Sequence, residues 1–405
     1  MKIVDVCAFY TPSGGGVRTY VDRKLVAFAG RGVDTVVIAP GERDGVERRG
    51  PRSTIRWLRS PRFPLDRSYR YFADRAALHR VLDEEDADIV EVSSPWRSAS
   101  IVAEWRSERR ARARLALIAH ADPLSAYAYR WFGGVASTRT IDRAFDWYWR
   151  HLRRLDQQFD LIVSASDGLT GRLRAGGLGK VVTDPMGVEP GRFAPTLRDP
   201  TLRRELLALC ALPDDALLLI GVGRHAPEKR WPMVIQAASI AGMSAPVGLV
   251  LVGGGSRQAP SIEAIDGSPH VRLLAPIADR SALARLMASA DALIHGCEAE
   301  TFCFAAAEAI ASGLRLIAPD RGGAADLARA GGGVMYRSGN AQAAAEAILA
   351  VRRADAPPRR MTAVRTMDDH FDELLAMYNR QALTGEQGTV DDGAVPCRHR
   401  TAFPR

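Results

Sequence analysis

Short runs rich in Val, Ile and Leu recur along the chain, bounded by Gly, Pro or Asp and separated by stretches long enough for a helix. Apolar runs of that length without alternation mark strands of a parallel sheet buried under helices on both faces. In the first half they fall at 3–9, 35–39, 89–92, 115–120, 161–164 and 180–183. The second half repeats the rhythm at 217–222, 248–252, 271–274, 292–295, 315–318 and 333–336. The pattern predicts an α/β protein made of two doubly wound, Rossmann-like units in series. Pro190, Pro195 and Pro200 punctuate a stretch without periodicity, which divides the chain into an N-terminal unit, 1–190, and a C-terminal unit, 191–383. Beyond Thr384 the apolar period disappears, and 384–405 is expected to be a disordered tail.

The length of 405 residues agrees with two domains, and 47% hydrophobic against 25% charged residues rules out wholesale disorder. Five cysteines at scattered positions, without a C-x-x-C pair, argue against a disulfide framework or a zinc site and imply a reducing, cytoplasmic setting. No apolar run approaches 18 residues, and Asp5 interrupts the N-terminal one, so neither a membrane span nor a signal peptide is expected. The formal net charge of +8 is unevenly placed. Through Glu189 there are 31 basic and 24 acidic side chains, a net of +7, against 24 and 23, a net of +1, in the remainder. Six of the seven tryptophans share the basic half.

Open parallel sheets bind ligands beyond the carboxyl ends of their strands, so the loops that follow the strands carry the candidate chemistry. Ser13-Gly14-Gly15-Gly16 follows the first strand and opens a helix, a place where backbone N–H groups can meet a phosphate. A dinucleotide fingerprint needs a glycine where Thr19 stands and an acid where Ala39-Pro40 closes the second strand, which disfavours a nicotinamide dehydrogenase. After the strand at 217–222, Arg224 and Lys229 are spaced to clamp a diphosphate, or are ordinary surface charges. The most informative segment is Glu300-Thr301-Phe302-Cys303 followed by an Ala-rich run to Gly313. On a continuous helix its two carboxylates, Glu300 and Glu308, lie ~12 Å apart along the axis and face one extended ligand. Glu308 sits in a nearly all-apolar run and needs a partner.

The E-x7-E pattern of Glu300 and Glu308, together with Gly223-Arg224, Lys229, Gly253-Gly254-Gly255 and Ala290-Asp291-Ala292, resembles the retaining nucleotide-sugar glycosyltransferases of family four (group 1) from Lys2 to about Arg380. The resemblance implies the GT-B fold, in which two Rossmann-like domains face a cleft, with acceptor on the first and donor on the second. It implies hexosyl transfer from a donor of the GDP-mannose or UDP-glucose type to a glycan or lipid-linked acceptor, without metal or other cofactor and without nucleic acid. By it, Glu300 with Thr301 and Phe302 meets the donor hexose, Glu308 the ribose, and Arg224 and Lys229 the diphosphate. Gly15 and Gly16 approach the diphosphate from the facing domain, His120 lies beside the sugar, and the backbone of Ala275, Pro276 and Ile277 reads the base. The catalytic set is Glu300, His120, Arg224 and Lys229, with Glu300 and Lys229 exposed in the cleft. Three positions depart from the family pattern: Cys303 stands for a glycine, Met186 for an asparagine and Asp326 for a glutamate.

The same fold also carries nucleotide-sugar epimerases, phosphorylases and non-catalytic binding modules. All four charges of the donor site are present, against a degenerate module. Among four lysines (Lys2, Lys24, Lys180, Lys229) none sits in a context suited to pyridoxal phosphate, against a phosphorylase. Finally, 137–156 predicts one amphipathic helix capped by Ser137, with Ile141, Phe145, Tyr148, Leu152 and Leu155 inward. Its other face carries Arg143, Trp147, Arg150 and Arg154, a stripe suited either to cation–π packing or to an anionic membrane at the cytoplasmic face.

Overall fold

The computed structural model describes residues 1–11, 16–64, 69–120, 122–132, 135–255, 259–353 and 364–384. Ser13, Gly14 and Gly15 of the glycine loop and the tail 385–405 lie outside the described residues. Among the described residues fourteen strands form two sheets. The first contains β1 (Lys2–Val6), β2 (Asp34–Gly41), β3 (Gly45–Gly50), β4 (Ser53–Arg59), β5 (Ile89–Val92), β6 (Arg114–Ala119), β7 (Leu161–Ser164) and β8 (Val181–Thr183), in the order β3-β4-β2-β1-β5-β6-β7-β8. The second contains β9 (Leu217–Val222), β10 (Val247–Val252), β11 (Val271–Leu274), β12 (Ala292–Ile294), β13 (Arg315–Pro319) and β14 (Val334–Tyr336), in the order β11-β10-β9-β12-β13-β14. Every pairing is parallel except β3 with β4.

Each sheet is buried on both faces, as the continuous apolar runs require. In β10 all six residues are buried, and the helix Trp231–Gly242 lays Trp231, Val234, Ile235 and Ala238 against one face. Fully burying such side chains contributes about 1.5–3 kcal/mol each. The hairpin β3–β4 had no counterpart in the apolar pattern. Its outer strand, Gly-Val-Glu-Arg-Arg-Gly, is exposed along its length, and edge strands need no core face. The predicted helix over 137–156 is two helices, Thr138–Ala144 and Asp146–Gln158, broken at Phe145 (φ −101°, ψ 24°). Ser137 does cap the first through the Thr140 N–H, and Ile141, Tyr148, Leu152 and Leu155 are buried. Asp142 ties the break together by accepting from Tyr129 Oη and from Trp149 Nε1 at 3.2 Å.

The last helix, Met367–Thr384, packs on the first unit and not the second. Arg23 reaches Asp368 at 2.9 Å, and Phe371, Leu374 and Tyr378 join the core built on β1. Beneath it lies a fully buried ionic cluster, in which Lys24 on the helix Gly16–Gly30 donates to Asp5 on β1 and Glu91 on β5. Ser93 Oγ donates to Asp5 at 2.9 Å and Tyr378 Oη to Glu91 at 2.7 Å, so the carboxylates are satisfied. Deleting one partner of a buried pair strands a charge, which costs about 3–5 kcal/mol. The variant Lys24→Met should therefore lower the urea midpoint of the first unit by that equivalent. An unchanged midpoint would show that the cluster contributes no net stability.

Candidate active site

In the second sheet the strand order reverses between β9 and β12, because the chain returns to the opposite side of β9 after β11. That crevice, open beyond the carboxyl ends of the strands, is where a doubly wound sheet accepts a ligand. Both adjoining loops deliver charge to it. From β9 come the exposed Arg224 and, on the single turn Pro227–Lys229, Lys229. From β12 comes Glu300, whose carboxylate accepts from Lys229 Nζ.

Close backbone packing builds the crevice. A Cβ on Gly253 would fall 1.9 Å from the Gly223 carbonyl oxygen, so the loops after β9 and β10 touch only because position 253 is glycine. Trp231, wholly buried, donates its indole N–H to the Arg224 carbonyl at 3.0 Å and supports that loop from below. On the other side, Gly323 N donates to the Glu300 carbonyl at 2.7 Å, and a Cβ on Gly323 would meet Phe302 backbone at 2.7 Å. The Gly322-Gly323 pair is thus the backing of the Glu300 loop.

Glu300 does not start the following helix. That helix runs from Phe304 to Ala311, and Cys303 precedes it in the left-handed region (φ 74°). The two glutamates therefore belong to a loop and a helix, not to one helical face. Glu308 is buried and paired with Arg280, whose guanidinium lies 5.0 Å from the Phe193 ring. That is the partner its apolar setting demanded. Burial pushes the Glu308 carboxyl up, against the Arg280 charge. Thr301 and Phe302 are both buried at the boundary between the units, with Thr301 Oγ1 donating to the His120 carbonyl at 2.9 Å. Gly16, the first residue of its helix, faces the Phe304 ring from the first unit. Ala275, Pro276 and Ile277 form the loop after β11, at the same sheet edge but two strands from β9. A further link across the boundary runs from Gly168 N–H to Asp326 at 3.2 Å.

Lys229 and Glu300 are less exposed than the sequence suggested, at 14% and 28% of their side chains. Their electrostatics follow. Burial favours a neutral Glu300, but the Lys229 charge overrides it and holds the carboxyl at about 2. Burial likewise works against the Lys229 charge, and Glu300 more than offsets it, leaving the ammonium above its usual range. Two histidines next to the crevice stay neutral. His120 directly follows β6, with its ring 4.8 Å from that of Tyr20 and its Nε2 buried without a partner among the described residues. Burial lowers it to about 4. His295, which the sequence marked only as a strand end, is buried at the end of β12. Burial and the Lys229 charge lower it to about 3, and its carbonyl accepts from Tyr336 Oη at 2.6 Å. Its Nε2 lies 3.8 Å from Glu300 Oε1 and 3.6 Å from Cys303 Sγ.

Imidazoles held below the ~6.5 of an unfolded chain take up protons on unfolding, so stability is lost as pH falls. The window runs from about 6.5 down to about 4 for His120 and about 3 for His295. The melting temperature should hold above pH 7, decline through that window, and decline less steeply in His120→Asn. Parallel curves for the two proteins would show that His120 is not excluded from protonation.

Residues 208–363 match the family model described as glycosyl transferases group 1, and residues 14–192 match glycosyltransferase family 4. A GDP-mannose-dependent alpha-mannosyltransferase of Mycobacterium tuberculosis is 30% identical over 81% of this chain and 81% of its own length. A GDP-mannose-dependent alpha-(1-6)-phosphatidylinositol dimannoside mannosyltransferase of the same species is 29% identical over 77% of this chain and 78% of its own. Among solved structures, sucrose-phosphate synthase from Thermosynechococcus elongatus superposes with a TM-score of 0.70 at 18% identity, covering 95% of this chain and 99% of that one. The catalytic domain of starch synthase IV from Arabidopsis thaliana gives 0.66 at 14%, covering 94% and 99%. The chain belongs to the group 1, family-four glycosyltransferases, and is a hexosyltransferase of the GT-B fold.

Proposed function

We propose that this enzyme moves a mannosyl group from GDP-mannose to a glycan or lipid-linked acceptor, with retention at the anomeric carbon and without a metal ion. The observation that carries the reading is the Lys229–Glu300 pair, with Arg224 beside it, at the β9/β12 reversal. The names of the relatives favour GDP-mannose over UDP-glucose as donor. In this reading residues 191–383 hold the donor and 1–190 the acceptor. Arg224 and Lys229 neutralise charge building on the departing diphosphate, which is the largest demand of the step. Gly16 faces the diphosphate from the first unit. Glu300, with the Thr301 and Phe302 backbone, holds the hexose, and Glu308 the ribose. Ala275 to Ile277 line the base, and neutral His120 offers a hydrogen bond near the sugar. Attack comes from the face the diphosphate leaves.

Glu300→Gln keeps the shape of the side chain, so its effect is on chemistry more than on folding. Transfer of radiolabelled mannose from GDP-mannose, assayed in EDTA, should drop by about 10²–10³-fold in Glu300→Gln and in Lys229→Ala. Wild-type rates in Glu300→Gln, a requirement for added metal, or faster transfer from UDP-glucose would each overturn the corresponding part of the reading.

The acceptor side carries a surface that fits a peripheral position at the cytoplasmic face of a membrane. Among the described residues no helix is long and apolar enough to cross one. Trp131 and Phe132 on the short helix Tyr129–Phe132, Val135 in the following turn and Trp147 on the helix Asp146–Gln158 are exposed, Trp131 at 61% and Trp147 at 53%. Arg143, Arg150 and Arg154 are exposed around them. Among the described residues Arg150 pairs with Asp146 through an exposed i,i+4 contact at 3.4 Å, worth little in water. Aromatic rings at headgroup depth and arginines near anionic lipid, at about 1 kcal/mol each, describe an interfacial contact. In flotation with liposomes the enzyme should rise with anionic but not neutral vesicles, and Arg143, Arg150 and Arg154 replaced by glutamate should abolish it. Equal flotation with neutral vesicles, or no change in the triple variant, would remove this surface as a membrane contact.

A further inference from the structure

The loop that holds Glu300 places a second chemistry beside the carboxylate. Cys303 occupies a left-handed position (φ 74°) that favours glycine, so its side chain is retained against backbone strain. From there Sγ points toward His295 Nε2, 3.6 Å away, while the same nitrogen lies 3.8 Å from Glu300 Oε1. One donor atom from each of the three side chains lies within 4.8 Å of the other two. Around a tetrahedral zinc ion, with Zn–S about 2.3 Å and Zn–N and Zn–O about 2.0–2.2 Å, neighbouring ligand atoms stand roughly 3.3–3.6 Å apart. The two distances from His295 are within a few tenths of an ångström of such a shell, the Cys303 and Glu300 donors are within 4.8 Å of each other, and the three are nitrogen, sulfur and oxygen, the set that suits zinc and disfavours magnesium or calcium.

We propose that His295, Glu300 and Cys303 form a binding site for zinc or a similar borderline-soft divalent cation, and that its occupancy blocks the donor-sugar end of the active site. His295 and Cys303 are buried and Glu300 is the partly open member, so the ion enters from the crevice and solvent supplies the fourth ligand. Binding draws the Glu300 carboxylate away from Lys229. The Cys303 thiol loses its proton to solvent as the sulfur–metal bond forms, and no electron is transferred. The role is inhibitory because the ion takes the carboxylate that the sugar would use and separates it from the diphosphate-facing ammonium. This last step rests on the donor-site reading, whereas the coordination itself does not.

The test separates the two. All measurements use the full chain carrying Cys397→Ser, so that the C-terminal cysteine contributes no thiolate. Cobalt(II) titrated into this protein should give one equivalent of a thiolate-to-cobalt charge-transfer band, displaced by zinc. Cys303→Gly suits the local backbone and should fold, and in it the band should vanish. Cys297→Ser, which alters a neighbouring buried thiol, should retain it. Absence of the band in the parent, or its persistence in Cys303→Gly, overturns the site. In the transfer assay, zinc should inhibit the parent competitively with GDP-mannose. The zinc concentration for half-inhibition should rise at least tenfold in Cys303→Gly. Equal inhibition of both proteins, with the cobalt band intact, would keep the ion and reject its blocking role. Failure of the parent to transfer mannose at all would reject the donor reading and leave the cobalt result standing.

Discussion

A parallel sheet whose strand order reverses leaves a gap that no connecting segment can fill, because the crossovers on either side lead away from it. In the second sheet this gap lies between β9 and β12, and the rest of the molecule is arranged around it. Glycines at 253 and 323 let the adjoining loops close to backbone contact, Trp231 props one of them, and the Lys229–Glu300 pair spans the opening. The pair is charged because each member overrides the burial cost of the other. That makes it responsive: whatever neutralises one partner releases the second.

The boundary between the units is polar where it meets the gap and apolar behind it. Thr301 to the His120 carbonyl and Gly168 to Asp326 are single hydrogen bonds, whereas Phe302 and Ala307 join an apolar cluster with residues of the first sheet. The hydrogen bonds hold one mutual orientation of facing loops. The apolar cluster keeps the units associated across small changes of angle, since it is not directional.

Much of this was legible before any coordinates. The twelve buried strands announce themselves because burial on both faces leaves unbroken apolar runs, and the loops after β9 and β12 follow once those strands are placed. β3 was invisible because an edge strand of Val, Glu and Arg has no face to bury, and β4 because Arg56 and Arg59 interrupt the apolar residues it does bury. The break at Phe145 was hidden because the apolar spacing of Ile141, Tyr148 and Leu152 continues across it, and it is Asp142, bonded to Tyr129 and Trp149, that fixes the bend. Around Glu300 the types and order of residues were informative but their geometry was not. E-x7-E spacing says nothing of a left-handed residue at Cys303, and only that turn aims the thiol at His295.

The helix Met367–Thr384 is last in sequence, yet it seals the unit built from the first 190 residues. During synthesis the first sheet emerges with Phe28, Tyr20 and the Lys24 cluster uncovered, and Tyr378 arrives only after the whole second sheet has been made. The first unit is therefore completed only after the second, and a nascent chain stalled within the second sheet displays an apolar groove for as long as the stall lasts.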